Sequence, residues 1–185
     1  MLNSIAALYG TGAAPVAPTA YESIATVTVG SGGASYAEFT SIPSTYTHLQ
    51  VRGIASISSS VTTGKLQFNG DTATNYAYHK LIGNGSSAGS GNSTSQAFIG
   101  ILDSIGFNST ANNYAAFVVD ILDYANVNKY KTTRTLAGDD LNGSGGIELD
   151  SGLWQSTSAI TSMRFTPYNG ANWTQYSSFA LYGVK

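Results

Sequence analysis

Cysteine is absent from this 185-residue chain, and charged side chains are scarce. Without cysteine the protein forms no disulfides and no thiolate metal sites, and its redox compartment cannot be inferred. Asp, Glu, Lys and Arg make up 10% of the residues, against roughly 25% in typical soluble domains. The eight Lys and Arg residues are scattered and the net charge is −2. Because a phosphate-binding surface needs clustered positive charge, we expect no nucleic-acid partner.

Long apolar runs are also missing. A transmembrane helix needs about 20 consecutive apolar residues, and no run in the sequence approaches that length, so we expect no membrane partner. The first twenty residues contain no Lys or Arg and no Ala-x-Ala motif. We therefore expect no secretory signal peptide.

Small neutral residues take the place of the missing charges. The sequence contains 21 Gly and many Ser, Thr and Asn residues, while hydrophobic residues still make up 42%. Ser, Thr and Asn side chains compete for backbone hydrogen bonds and therefore favour strands and turns over helix interiors. A weakly charged surface also gives little protection against self-association, so it is compatible with assembly from identical copies.

From residue 21 onward, short apolar segments alternate with turn-forming clusters. Tyr114–Tyr124 is long enough for a helix, but its Val and Ile content and its lack of a 3.6-residue period favour a buried strand. Asn69-Gly70 directly follows a short apolar segment and predicts a hairpin. The Gly-, Ser- and Asn-rich stretch from Gly83 to Thr94 predicts a loop. The expected strands are Ile24–Val29, Tyr36–Ile42, Thr47–Ala55, Lys65–Phe68, Tyr76–Ile82, Gln96–Leu102, Tyr114–Tyr124, Lys129–Leu136, Gly152–Gln155, Ile160–Phe165 and Tyr176–Val184.

This pattern predicts an all-β fold, an antiparallel β-sandwich of jelly-roll-like form, as a single domain over residues 21–185. In the segment beginning at Thr47, alternation places Leu49, Val51 and the later apolar residues inside. It places Gln50 and Arg52 outside.

Residues 1–20 are interpreted as an extended N-terminal arm. Two Gly and two Pro between Tyr9 and Pro18 exclude a regular element there. One interpretation is a frayed terminus. The other is an anchoring arm that reaches onto a neighbouring subunit, because its apolar side chains have little reason to lie in water. Those side chains are Leu2, Ile5, Leu8 and Tyr9.

No catalytic, cofactor-binding or metal site is predicted, so we expect a protein that is not an enzyme. His48 and His79 lie in separate predicted strands and are interpreted as surface or hydrogen-bonded residues. Asp139, Asp140 and Asn142 carry oxygen ligands suited to Ca²⁺. They lack the spaced ligand series of an EF-hand, so a solvated turn is favoured.

Aromatic residues supply the candidate contact surface. The loop from Tyr168 to Tyr176 carries Trp173 near its predicted tip. Exposed Tyr and Trp offer an apolar ring face with a polar edge, which suits contact with a partner protein or a glycan. The alternative is that these rings fill the core of the sandwich.

Long segments of the chain resemble a family of tailed-bacteriophage virion proteins, common in phages of cyanobacteria and other aquatic hosts. The segments that carry the resemblance are Tyr21–Gly30, Ser41–Ile54, Phe68–Asp71, Tyr76–His79 and Tyr176–Lys185. The resemblance spans nearly the whole chain and implies a particle component with no catalytic residues. Some members resemble capsid decoration (cement) proteins, and others resemble fibre or tail appendage proteins.

Two functions are therefore expected, in order. The first is a capsid decoration protein, a homotrimer on the virion surface that binds the major capsid protein and stabilises the head. The second is a head or tail fibre module that binds host-surface glycans.

Overall fold

Strands and turns build the chain, as the sequence predicts. The computed structural model describes residues 20–59 and 63–185. The four apolar arm residues Leu2, Ile5, Leu8 and Tyr9 lie outside the described residues. The strands are β1 (Tyr21–Thr28), β2 (Ala37–Phe39), β3 (His48–Ala55), β4 (Gly64–Phe68), β5 (Tyr76–Gly83), β6 (Ala88–Gln96), β7 (Ile99–Ile101), β8 (Ala115–Leu122), β9 (Lys131–Asp140), β10 (Gly145–Trp154), β11 (Met163–Pro167) and β12 (Ser178–Val184).

The strands form two antiparallel sheets that pack as a sandwich. The large sheet has eight strands in the order β1-β12-β3-β8-β9-β10-β5-β6, and the small sheet has four in the order β2-β11-β4-β7. The predicted β-sandwich is therefore confirmed, and the strand order is compatible with a jelly roll. A single 3₁₀ turn, Tyr168–Gly170, follows β11. Within the described ranges, no helix is long and apolar enough to span a membrane.

An aromatic core joins the two sheets. Phe165 of the small sheet lies 5.5 Å from Phe179 of the large sheet, measured between ring centroids. The indole ring of Trp173 packs edge-on against Phe107 and Phe179 at 5.0 and 5.2 Å. Edge-to-face contacts of this kind add to the free energy of burial. The inner faces of both sheets thus meet in one continuous core.

Two predicted loops are strands in the structure. The Gly-, Ser- and Asn-rich stretch expected to be a loop supplies β6, an edge strand, and β10 begins at Gly145 rather than at Gly152. The local composition disfavours a strand in both places. Pairing with β5 along almost the whole strand supplies the backbone hydrogen bonds that override that preference.

The predicted hairpin at Asn69-Gly70 is wrong, although its turn forms. Both residues have positive φ, 51° and 68°, and Asp71 N–H donates to the carbonyl of Phe68 (2.9 Å). The flanking strands β4 and β5 belong to different sheets, so the turn connects the two layers instead of closing a hairpin.

The inward prediction for β3 is only partly right. Leu49 and Val51 are buried, but Ile54 points outward and is half exposed. Gln50 is also nearly buried, because it packs beside its neighbours on the outer face rather than standing in open solvent.

Candidate assembly surface and buried acid cluster

The outer face of the large sheet carries a group of exposed aliphatic side chains. Pairing across β8, β9, β10 and β5 aligns Val118 with Leu136, Leu136 with Leu149, and Leu149 with Leu81. Directly paired residues of an antiparallel sheet point to the same side. In the next row Ile54 pairs with Ala116, and Ile147 pairs with Gly138. We call the five largest exposed members the outer apolar array: Ile54, Leu81, Leu136, Ile147 and Leu149.

Each member of the outer apolar array is between 49% and 59% exposed. They lie on the four strands β3, β9, β10 and β5, and Ala116 and Val118 of β8 fill the row between β3 and β9, so they form one patch rather than scattered residues. Single exposed aliphatic residues are ordinary on protein surfaces, but contiguous apolar patches mark interaction sites. No described element of the chain covers this face.

The alternation on β9 and β10 is inverted relative to an ordinary sandwich. Thr133 and Thr135 of β9 and Glu148 and Asp150 of β10 point into the molecule and are buried. Leu136, which alternates with the threonines, points out. A strand that buried only one apolar face would place its leucines inward. On these two strands the leucine and isoleucine side chains therefore lie on the outer face.

Two grooves lie on the outer face, on either side of the β9–β10 pair. One, of about 420 Å³, has a floor formed by the small residues Ala116 and Gly138, with walls that include Leu136 and Ile147. The other, of about 520 Å³, lies beside Leu149. An extended segment can bury its apolar side chains more completely in shallow grooves of this kind than on a flat surface.

A polar row borders the array on one side. Asp120 of β8 accepts a hydrogen bond from the Gln50 amide (2.8 Å) and lies 3.6 Å from the guanidinium of Arg134. Arg52 lies at the other end, with its guanidinium about 5 Å from the rings of Tyr21 and Tyr182. The charges nearest the array are thus already engaged within the sheet.

Under the same sheet lies a buried acid cluster, which we define as Lys80, Asp103, Glu148 and Asp150. The Lys80 ammonium pairs with the Asp103 carboxylate. Glu148 is fully buried, and its two carboxylate oxygens accept the backbone N–H groups of Asp103 (2.9 Å) and Ser104 (3.0 Å). Sequence reasoning found no acid pair, because the i, i+2 spacing of Glu148 and Asp150 is informative only once β10 is known to begin at Gly145.

Asp150 is the unusual member of the buried acid cluster. Burial and the adjacent Glu148 carboxylate raise its pKa to about 8. Neither of its oxygens has a hydrogen-bond donor among the described residues. A hydrogen bond between two carboxyl groups needs a shared proton, and the raised pKa of Asp150 favours the protonated form beside Glu148. Tyr78 faces the same cluster, and burial raises its pKa to about 12.

The predicted exposure of Trp173 is wrong. Trp173 is 1% exposed, and its indole N–H donates to the carbonyl of Phe165 (3.1 Å). Its backbone bridges Ala34 and Ile57, which draws the loop over the end of the sandwich and places the ring in the core. Trp173 therefore cannot contact a partner or a glycan.

Tyr168 and Tyr176 are exposed, at 44% and 68%. The Tyr168 ring lies 5.9 Å from Phe98 and 5.6 Å from the Lys65 ammonium. Tyr176 lies beyond Trp173 with a positive φ of 70°. Because Trp173 separates them as a core residue, the three predicted contact residues do not form one platform.

The remaining candidates are turn and strand residues. His48 Nδ1 accepts the backbone N–H of Asp123 (3.0 Å), and His79 lies in β5 on the outer face. Asp139 points inward to the Asn108 amide, whereas Asp140 accepts the N–H of Asn142 (2.8 Å) in the β9–β10 turn. The two carboxylates therefore diverge. No group of three His, Asp or Glu side chains within residues 20–59 and 63–185 is arranged to hold a metal ion.

Comparison of the chain with protein-family models, with curated proteins and with solved structures finds no match in any of the three. The resemblance to phage virion proteins therefore stays a prediction.

Proposed function

We propose that the protein is a structural component of a multi-copy assembly, which it joins through the outer apolar array. The single observation that carries this proposal is the inverted alternation of β9 and β10. Because of that inversion, polar side chains occupy buried positions on these two strands, while Leu136, Ile147 and Leu149 face outward.

The exposed area of the array determines how much free energy an interface would gain by covering it. Each member retains about half of its side-chain surface in the isolated chain. Complete burial of such a side chain contributes about 1.5–3 kcal/mol, so covering the five exposed halves would contribute roughly 4–7 kcal/mol. A contribution of that size favours a stable contact once the rim of the interface is paired.

The role is mechanical rather than catalytic in this proposal. Glu148 and Asp150, which lie side by side among the described residues, are both buried between the sheets. A substrate would have to open the sandwich to reach them. Binding energy gained at the surface instead stabilises whichever assembled state the protein joins.

The most specific form of the proposal is a capsid decoration protein, which binds the major capsid protein on the surface of a phage head. The resemblance of Tyr21–Gly30 and Ser41–Ile54 to virion proteins supports a virion component of either type, and the weakly charged surface suits the dense packing of identical copies in a decoration layer. Repeated over a shell, a modest contact per copy adds up to substantial stabilisation.

Copy number in purified particles tests the virion role. Quantitative mass spectrometry should find the protein as an abundant particle component, on a scale comparable with the major capsid protein. A trace component confined to tails would contradict decoration and favour the fibre module. Absence from purified particles would contradict both.

A glycan-binding fibre module is the second candidate, and one observation favours it. Tyr168, Phe98 and Lys65 form an aromatic patch with a cation on the small sheet, away from the outer apolar array. Aromatic faces of this kind stack on sugar rings.

A glycan array separates this candidate from the first. The fibre function predicts binding that Tyr168→Ala abolishes and that Tyr176→Ala, which removes an isolated exposed ring, leaves unchanged. A protein that binds no glycan would count against the fibre module and leave decoration standing.

A further inference from the structure

Something must cover the outer apolar array in the assembled protein, and the sequence contains a suitable segment. Residues 1–19 contain no charged side chain and supply Leu2, Ile5, Leu8 and Tyr9. The array likewise presents only aliphatic side chains, on β3, β9, β10 and β5. Because its side chains are uncharged, the segment can bury against these aliphatic residues without removing a charged side chain of its own from water.

The segment is long enough to cover the array. Extended chain spans at most about 3.3–3.6 Å per residue, so 19 residues reach roughly 60 Å. The array crosses four strand spacings between β3 and β5, which is about 19 Å at 4.8 Å per spacing. Leu2, Ile5, Leu8 and Tyr9 alone cover a comparable distance.

The exit direction of the chain favours the sheet of another copy over its own. The carbonyl of Ala20 accepts the backbone N–H of Lys185 (3.2 Å), and Tyr21 pairs with Val184. Extended pairing with β12 thus continues up to the point where the segment joins the sheet. The line of β1 leads off the end of the sheet, away from the array, so the segment must reverse to reach its own face. It can reach the face of a neighbour without reversing.

We propose that the N-terminal segment of one copy lies across the outer apolar array of a neighbouring copy, so that the array is a socket for an exchanged arm. This inference rests on the proposed function, since it names the partner of the same surface. Every copy then supplies one arm and one socket, an arrangement that a closed ring of copies satisfies completely.

Engineered cysteines test the exchange directly, because the chain has no native cysteine. Two single variants, Ile5→Cys and Leu149→Cys, are co-expressed and mildly oxidised, and the disulfide-linked peptides are identified by mass spectrometry. In the matched control, Thr166→Cys on the small sheet replaces Leu149→Cys. We expect several-fold more of the heterodimer that joins positions 5 and 149 than of the control heterodimer.

Heterodimer no more abundant than the control would overturn the proposal. A double variant, Ile5→Cys with Leu149→Cys, that yields only a bond within one chain would overturn exchange as well. If self-association survives deletion of residues 1–19 but is lost on changing the array, the occupant is the face of a second copy. That outcome rejects the arm while leaving the proposed assembly surface intact.

Discussion

At the scale of single residues, the molecule is notable for where it buries polar groups. Lys131, Glu148 and Asp150 are almost completely inaccessible. Glu148 is satisfied by two backbone N–H groups, whereas burial beside Glu148 raises the pKa of Asp150 and so favours its protonated form. A buried carboxyl that keeps its proton makes the stability of the fold depend on pH.

The sign of that dependence follows from the raised pKa of Asp150. The folded chain holds a proton, up to about pH 8, that the unfolded chain releases near the ordinary pKa of 3.8. Stability contributed by Asp150 is therefore complete below the unfolded pKa. It falls as pH rises through that window and levels off above the folded pKa.

Asp150→Asn should remove this loss, because the amide is neutral at every pH and can still donate to Glu148. Each pKa unit corresponds to about 1.4 kcal/mol, so at pH 9 we expect a gain on the order of a few kcal/mol in the free energy of unfolding. At pH 4 we expect little change. Urea denaturation at both pH values measures the difference.

Glu148→Gln provides the contrast. Its amide replaces one of the two acceptor oxygens with a donor, so the variant should be less stable than the wild type at pH 4 and at pH 9. An Asp150→Asn variant with an unchanged pH profile would show that Asp150 is ionised in the folded protein.

At the scale of strands, patterning identified most elements but missed β6 and the first half of β10. The apolar alternation of β3, β8 and β12 reveals buried strands because their inner residues are aliphatic or aromatic. β6 has almost no apolar residue, and the first half of β10 begins with two Gly and contains the buried Glu148. Neighbouring strands, rather than local propensity, bring these segments into the sheet.

The candidate surface escaped sequence reasoning for the same reason. A leucine in a strand is ordinarily a core residue, so nothing in the sequence marks Leu136 and Leu149 as surface residues. The sequence contains one sign of the inverted face, because Lys131, Thr133 and Thr135 occupy alternate positions of β9 and Leu136 falls between them on the other face. Lys131 makes that sign hard to read, because a lysine at an inner position is rare unless its ammonium is fully hydrogen-bonded.

The Lys131 ammonium is hydrogen-bonded to carbonyls in the loop before β9 and in the loop after β10. It donates to the carbonyls of Asn126 (2.6 Å), Lys129 (2.9 Å) and Thr157 (3.0 Å). Lys131→Met leaves three carbonyls without this donor. We expect a loss of about 1–3 kcal/mol in the free energy of unfolding and faster hydrogen exchange around Asn126 and Thr157.

Lys129→Met is the matched control for that experiment. Its ammonium pairs with Asp123 at the surface, where ion pairs contribute about 0–1 kcal/mol. Equal destabilisation by the two variants would show that the three carbonyls gain nothing specific from Lys131.

At the scale of the whole molecule, the two sheets have different roles in the structure. The small sheet closes the core, with Phe165 and Trp173 packed against Phe179. The large sheet extends beyond it with twice as many strands and presents the outer apolar array. A net charge of only −2 adds little long-range repulsion between copies.

The central claim is that copies associate through the outer apolar array, and sedimentation velocity of the purified full chain tests it most directly. Leu136→Thr with Leu149→Thr removes the centre of the array and keeps residues that favour strands. Val127→Thr, an equally exposed apolar residue outside the array, is the control. We expect the wild type and the control to sediment as an oligomer, and the double variant to sediment as a folded monomer. A monomeric wild type, or a double variant with the wild-type oligomer, would contradict the claim.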